Sequence, residues 1–205
     1  MRRLAIETAT ETCSVALFED GRLLGHIHER VGRGHAERLI PMIAELPGRG
    51  RAEALLVDCG PGSFTGVRVG LAAARALGFA WTAPVSGYSS LALIAAAGFA
   101  AEPALDSLAV ALIGGHGEYF VQRFARQGVR PIAPLRSLRP ENAALVCAGD
   151  VIAGSGAEAM IAAGASGGLL AIELDARNTR LLPTELASLP PSPIYGRAPD
   201  ARLPG

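Results

Sequence analysis

The sequence has 205 residues, and 50% of them are hydrophobic, which is enough to bury one large core or two small ones. Lys plus Arg and Asp plus Glu number 19 each, so the formal net charge is zero and no overall positive field would attract nucleic acid. The three cysteines are far apart and form no Cys-x-x-Cys pair, which argues against a disulfide framework or a structural zinc site and favours the reducing cytoplasm.

The first third of the chain predicts three antiparallel strands and a helix. Leu4–Glu7 and Cys13–Glu19 read as a strand pair joined by a hydroxyl-rich turn. An Asp-Gly pair at positions 20 and 21 is a strong hairpin signal, so Arg22–Arg30 should return as the third strand. Apolar residues then recur at helical spacing from His35 to about Leu46, which predicts an amphipathic helix.

A short apolar run, Ala54–Asp58, predicts a buried strand that ends in a glycine loop and a second helix reaching Phe79. Ala83–Val85 reads as a further strand, and Ser89 can cap a third helix that ends at Ala101. Three hairpin-linked strands followed by helix, strand, helix, strand and helix are typical of a ribonuclease H-like α/β fold.

Neither export nor a membrane span is expected. The apolar stretch Leu4–Ile6 is too short for a signal peptide. No charged residue occurs between Arg75 and Glu102, a length that could cross a bilayer, but glycine, proline and serine residues interrupt it. This stretch therefore predicts two soluble helices flanking a short strand.

The pattern starts again after residue 103, which predicts a duplicated topology. The expected domains are an amino-terminal ribonuclease H-like lobe over residues 1–103, a smaller lobe over 104–182, and a proline-rich tail over 183–205 that extends across the surface. The predicted elements of the second lobe are strands at Leu108–Ile113, Glu118–Ala125, Val129–Leu135, Leu145–Cys147 and Leu169–Ile172, and a helix at Ala157–Ala163.

The turn after the first strand and the glycine loop together form a candidate nucleotide site. Backbone N–H groups at a helix start attract phosphate, and duplicated ribonuclease H-like ATPases place an acid and hydroxyls at the first hairpin. The candidate residues are Glu7, Thr8, Thr10, Ser14, Gly60, Gly62 and Ser63. Against this reading, no Lys occurs anywhere in the chain, and a phosphate loop requires one, so a structural turn is the favoured interpretation. Asp58 is the nearest second acid, and the corresponding turn of the second lobe, residues 114–116, has no carboxylate.

A metal site and a hydrolase triad have little support in the sequence. His26 and His28 share one face of a strand and His35 follows, so three imidazoles could hold zinc, but exposed strand histidines are much commoner than metal sites. Ser63 has no evident His and acid partners for a hydrolase triad. We therefore expect neither a metal nor a catalytic residue in this chain.

The second helix carries a stripe of small residues, Gly66, Gly70, Ala74 and Gly78, spaced four apart. The stripe either faces the helix's own sheet or admits another backbone. Because the helix is apolar nearly all round, it needs two partners. One can be the sheet, and the other can be the His35 helix, a second copy of the chain or a different subunit.

Four segments of the sequence carry a resemblance to a known family. Met1–Leu17, His35–Met42, Gly60–Gly70 and Pro193–Arg197 resemble the corresponding segments of TsaB (YeaZ) proteins, and the Gly60–Gly70 string is nearly diagnostic. The resemblance implies an actin-like/Hsp70-like duplicated fold with two lobes and mixed sheets. It also implies a non-catalytic dimerisation subunit of the bacterial complex that installs threonylcarbamoyl on N6 of adenosine 37 in tRNAs reading codons that begin with A.

The same resemblance implies the partners. The first two helices would form a bundle with a TsaD-like catalytic subunit, or with a second copy when that partner is absent. A TsaE-like ATPase would dock on the pair, and ATP and tRNA would be handled by the complex. The predicted partner-binding residues are His35, Leu39, Met42, Ile43, Leu46, Val67, Gly70, Leu71 and Ala74. A stand-alone actin-like ATPase or kinase is the alternative, and a metalloprotease is a weaker one.

Overall fold

The structure, a computed structural model, describes residues 1–196, and its first half is a mixed five-stranded sheet with helices packed on it. In chain order the elements are β1 (Arg2–Glu7), β2 (Thr12–Glu19), β3 (Arg22–Arg30), α1 (His35–Glu45), β4 (Ala54–Asp58), α2 (Phe64–Trp81), β5 (Val85–Tyr88) and α3 (Ser90–Ala101). The strand order is β3-β2-β1-β4-β5, with β1 antiparallel to β2 and parallel to β4. The predicted ribonuclease H-like order is confirmed.

Both faces of this sheet are covered, which is why β1 and β2 are buried along almost their whole length. Side chains alternate between the faces of a strand. Leu4 and Ile6 of β1 belong to the main core, which also contains the inward residues of α1 and α2. Ala5, between them, packs on the opposite face with Phe18 and Ala176. The sheet is therefore the middle layer between two helices and a later segment of the chain.

The second half repeats this arrangement. Its elements are β6 (Ser107–Ile113), β7 (Tyr119–Ala125), β8 (Arg130–Pro131), β9 (Arg136–Leu138), α4 (Pro140–Cys147), β10 (Ile152–Ala153), α5 (Ala157–Ala162) and β11 (Leu169–Leu170). The order β11-β10-β6-β7-β8, with β9 also paired to β7, mirrors that of the first sheet. The predicted α/β fold with two mixed sheets and a duplicated topology is confirmed.

Three predicted strands were placed incorrectly. Leu145–Cys147 belongs to α4, because Pro140 and Glu141 start a helix just before it, and the true strand is β10. The single strand predicted over Val129–Leu135 is divided into β8 and β9, since prolines 131 and 134 have no N–H for a continuous ladder. The strand predicted at Ala83–Val85 is β5, two residues further on.

Helix α3 joins the two sheets. Residues 90–99 are all buried, because α3 packs on β6, β7 and β10 of the second sheet while its apolar side chains continue the core of the first. A helix buried all round has no exposed face to carry charge, which explains why α3 contains no charged residue. Within residues 1–196, no helix combines the length and apolar character needed to cross a membrane.

The segment that follows the second sheet returns to the first one. Short 3-10 turns at Ala176–Leu181 and Thr184–Ala187 lead to Leu189, which pairs antiparallel with Gly87 at the edge of β5. The Ile194 N–H then donates to the Cys59 carbonyl over 2.7 Å. The boundaries at 103 and 182 stay predictions, and the part of the predicted tail from Arg197 onward lies outside the described residues.

Candidate functional site

The glycine loop and the turn after β1 are packed directly on each other. The Ser63 N–H donates to the Ala9 carbonyl over 2.7 Å, and Ser63 Oγ accepts from the Gly66 N–H at the start of α2. A Cβ built on Gly66 would overlap the Thr8 carbonyl. Because the two segments already satisfy each other's polar groups, the loop is a close-packed turn with little room for a phosphate.

The candidate acids of this region point into the protein. Glu7 and Asp58 are fully buried. Asp58 Oδ1 accepts from the Gly60 N–H at 2.6 Å and from Ser90 Oγ at 2.7 Å. Burial raises the pKa of Asp58 to about 7 despite those two hydrogen bonds. Burial, and then the nearby charge of Asp58, raise the pKa of Glu7 well above its usual range. Ionising both carboxyl groups at once is therefore unfavourable.

The remaining nucleotide candidates are also occupied by contacts within the chain. Thr8 Oγ1 donates to the Gly66 carbonyl at 2.8 Å, and Thr10 Oγ1 lies 2.8 Å from Thr12 Oγ1. Ser14 Oγ accepts from the Ala176 N–H and contacts Asp175. Of the seven predicted residues, Ser63 is exposed and Thr10 and Gly62 are partly so. The structure brings the two predicted segments together, but as mutual packing.

The nine residues predicted to bind a partner lie inside the chain itself. All of them are buried, and the small stripe faces the sheet beneath α2. A Cβ on Gly70 would collide with Thr8, and one on Gly78 would approach the Val85 side chain to 2.5 Å. The His35 Nε2 atom lies 2.8 Å from the Thr10 carbonyl. These residues form the inner faces of α1 and α2, so a direct partner contact must be sought on the outer faces.

The outer faces of the two helices carry exposed apolar residues. Helices α1 and α2 pack beside each other on one side of the sheet, and both start near the turn after β1. On α2, Phe79 is 91% exposed, and on α1, Ile40 is 49% exposed. We call the following exposed residues the outer patch: Ala36, Ile40 and Ala44 of α1, and Ala72, Ala76, Phe79 and Ala80 of α2.

One further side of α2 is covered by the returning tail. Arg75 donates to the Pro191 carbonyl at 2.6 Å, and Arg68 donates to the Tyr195 hydroxyl at 3.0 Å. The Arg68 guanidinium also lies 3.7 Å from the centre of the Phe64 ring, in cation–π geometry. Helix α2 thus has the sheet, α1 and the tail as neighbours, and the outer patch is the apolar side that remains free among the described residues.

The first sheet is mixed, its strand order is repeated once along the chain, and a buried acid, Glu7, ends β1. These features define an actin-like, ribonuclease H-like α/β protein. The model of the family described as "TsaD: tRNA N6-adenosine threonylcarbamoyltransferase" matches residues 22–134, more than half of the chain. The YeaZ protein of Pseudomonas aeruginosa superposes with a TM-score of 0.78 at 28% identity, over 95% of this chain and 99% of that one.

Curated relatives indicate more specifically which family the chain belongs to. The chain is 39% identical over 132 residues to the tRNA threonylcarbamoyladenosine biosynthesis protein TsaB of Haemophilus influenzae, covering 62% of this chain and 55% of that protein. It is 42% identical over 100 residues to TsaB of Escherichia coli, covering 46% and 43%. The chain thus matches about half the length of these relatives. It belongs to the TsaB/YeaZ family.

Proposed function

We propose that this chain is a non-catalytic scaffold subunit for threonylcarbamoyl transfer to N6 of adenosine 37 in tRNA, and that it acts in the cytoplasm by binding a TsaD-like catalytic subunit. Support comes from the names of its curated relatives, which place TsaB proteins in threonylcarbamoyladenosine biosynthesis. The observation that carries the scaffold role is the outer patch, where the nearly fully exposed Phe79 lies beside exposed alanines of α2.

The chemistry of that patch suits helix pairing. Small alanine side chains allow a second helix to approach closely, and Phe79 and Ile40 offer large apolar surfaces to anchor it. The partner we propose is the TsaD-like subunit, with a second copy of this chain taking its place when that subunit is absent. A TsaE-like ATPase would dock on the pair, and the complex would use the ATP and hold the tRNA, in keeping with a net charge of zero on this chain.

A stand-alone ATPase or kinase has less support. Such an enzyme would use Glu7, Thr8 and the Gly60 loop, and these residues are buried and hydrogen-bonded within the chain. No tightly bound cofactor is part of the proposal for this subunit.

Reconstitution of tRNA modification tests the proposed function. TsaD-like and TsaE-like subunits, ATP and unmodified tRNA are incubated with and without this chain, and the modified nucleoside is measured by mass spectrometry. The proposal expects modification to require the chain, and the chain alone to leave ATP unhydrolysed. Equal modification without the chain would contradict it. ATP hydrolysis by the purified chain that is lost in Glu7→Ala would favour the ATPase instead.

A further inference from the structure

Two histidines of β3 and an aspartate from near the other end of the chain form a cluster that the proposed function does not use. His26 and His28 are two residues apart on β3, so their side chains lie on the same face of the strand. Asp175 immediately precedes the 3-10 turn Ala176–Leu181, which packs against β1, β2 and β3. One ligand atom from each of the three residues lies within 4.8 Å of the other two.

Both imidazoles are directed at the same carboxylate. His26 Nε2 is 2.7 Å from Asp175 Oδ1, and His28 Nδ1 is 3.6 Å from Asp175 Oδ2. His28 Nδ1 is buried, and within residues 1–196 it has no hydrogen-bond partner. A buried nitrogen without a partner lowers stability, so an occupant that accepts its lone pair would remove that penalty.

The carboxylate is held in place by contacts that leave it facing the histidines. Asp175 Oδ1 accepts from the Arg177 N–H at 2.9 Å and from Ser14 Oγ at 3.3 Å. The Arg177 guanidinium contacts Oδ2 at 2.8 Å, and its positive charge would oppose a cation here. Because that side chain is 55% exposed, it can turn toward water when a cation is bound.

A cleft gives access to the cluster from solvent. Its volume is about 630 Å³, and it is lined by the three clustered residues together with Ala171, Ile172, Glu173, Arg177 and Asn178. The carboxylate of Glu173 is exposed and lies 3.6 Å from His28 Nε2, so a second acid stands at the entrance. An ion can therefore enter from the cleft without opening the core.

We propose that His26, His28 and Asp175 bind one divalent transition-metal ion of the zinc class, with water or Glu173 as the fourth ligand. Two imidazoles and a carboxylate are the ligands that Zn²⁺ prefers, whereas Mg²⁺ and Ca²⁺ prefer sites built from oxygen alone. This site replaces the expectation of no metal, and it excludes His35, which bonds to the turn after β1 instead.

The bound ion would cross-link two segments of the chain. It would link the edge strand β3 of the first sheet to the segment that returns from the second sheet, and so stabilise their contact. The site is separate from the outer patch, so a test of metal binding does not depend on whether the scaffold role is correct.

Metal titration of tag-free protein tests the proposal. After dialysis against a chelator, Zn²⁺ is added in a calorimeter, and Co²⁺ is added while visible absorption is recorded. We expect one Zn²⁺ per chain, a rise in the unfolding temperature, and a Co²⁺ spectrum typical of tetrahedral nitrogen and oxygen ligation. His28→Gln should weaken Zn²⁺ binding at least about tenfold, while His116→Gln, at an exposed turn of the second sheet, should leave it unchanged.

Histidine NMR keeps the test decisive even where a variant fails to fold. In the unaltered protein, Zn²⁺ should shift the imidazole nitrogens of His26 and His28 and leave those of His35 and His116 in place. The proposal is overturned when the His26→Gln/His28→Gln double variant binds Zn²⁺ as tightly as the unaltered chain, or when His116 is the ring that shifts.

Discussion

Gly70 lies where α2 crosses the turn after β1, and a methyl group at this position would collide with the Thr8 hydroxyl. An ideal Cβ on Gly70 falls well inside contact distance of Thr8 Oγ1, whereas the next atoms, Thr8 Cβ and Val57 Cγ2, lie at 3.6 Å, an ordinary van der Waals distance. The hydroxyl cannot move freely, because it donates to the Gly66 carbonyl at 2.8 Å. Gly70→Ala must therefore displace the Thr8 side chain.

The cost of this displacement can be worked from its parts. Overpacking a tight contact costs about 1–3 kcal/mol, and losing the buried Thr8 hydrogen bond costs about 1 kcal/mol. Replacing glycine by alanine inside a helix returns about 1 kcal/mol. We expect Gly70→Ala to lower the free energy of unfolding by about 1–3 kcal/mol in total.

A double-mutant cycle with Thr8→Ala isolates the contact. With the hydroxyl removed, only the contacts at 3.6 Å remain, so Gly70→Ala should change sign and stabilise the chain by up to about 1 kcal/mol. Urea unfolding of the four proteins measures both values. An equal cost of Gly70→Ala in the two backgrounds would refute the reasoning, since the Thr8 hydroxyl would then not be its cause.

Two further predictions concern the buried acid and the tail. Burial raises the pKa of Asp58 from its ordinary 3.8 to about 7, so between these two pH values the folded state keeps a proton that the unfolded chain releases. The stability that comes from holding this proton is complete below pH 3.8 and is lost as the pH rises through about 7. Asp58→Asn should therefore flatten the fall in stability between about pH 4 and pH 7, as measured by urea unfolding, and an unchanged slope would contradict the assignment. Arg75→Ala removes the contact to the Pro191 carbonyl, and we expect faster hydrogen exchange at the Ile194 N–H with stability unchanged within about 0.5 kcal/mol. Unaltered exchange would show that Arg75 does not hold the tail.

The sequence predicted strands well where a turn signal fixed their ends. The Asp-Gly pair at positions 20 and 21 placed β3 at Arg22–Arg30, as the structure has it. Leu145–Cys147 is three apolar or small residues, too short for a period of 2 to be distinguished from one of 3.6, and the helix signal was Pro140, five residues earlier. With α4 recognised, and with β8 and β9 counted as one interrupted strand, the two halves of the chain have the same element order from the first strand of each sheet to the last.

The residues of the candidate site are harder to predict from the sequence than the strands are. The helical spacing of Ala36, Leu39, Ile40, Ile43 and Leu46 predicts one apolar face of α1, but the structure buries only Leu39, Ile43 and Leu46 of these. The pattern is also the same whether the face covers the chain's own sheet or a partner. The exposed residues that remain, Ile40 and Phe79, are identified only when the packing of both helices is known. The acid of the histidine cluster, Asp175, is 147 residues from His28 and carries no local signal, so only the fold brings it there.

Binding of the TsaD-like subunit by a Phe79→Asp variant tests the central claim most directly. Leu145→Asp, on α4, is the matched control, because Leu145 is 76% exposed and lies outside the outer patch. Isothermal titration should show Phe79→Asp weakening the complex by at least about thirtyfold, as expected for an aromatic anchor, with Leu145→Asp binding like the unaltered chain and both variants unfolding normally. Equal affinity for Phe79→Asp and the unaltered chain would contradict the proposed scaffold surface.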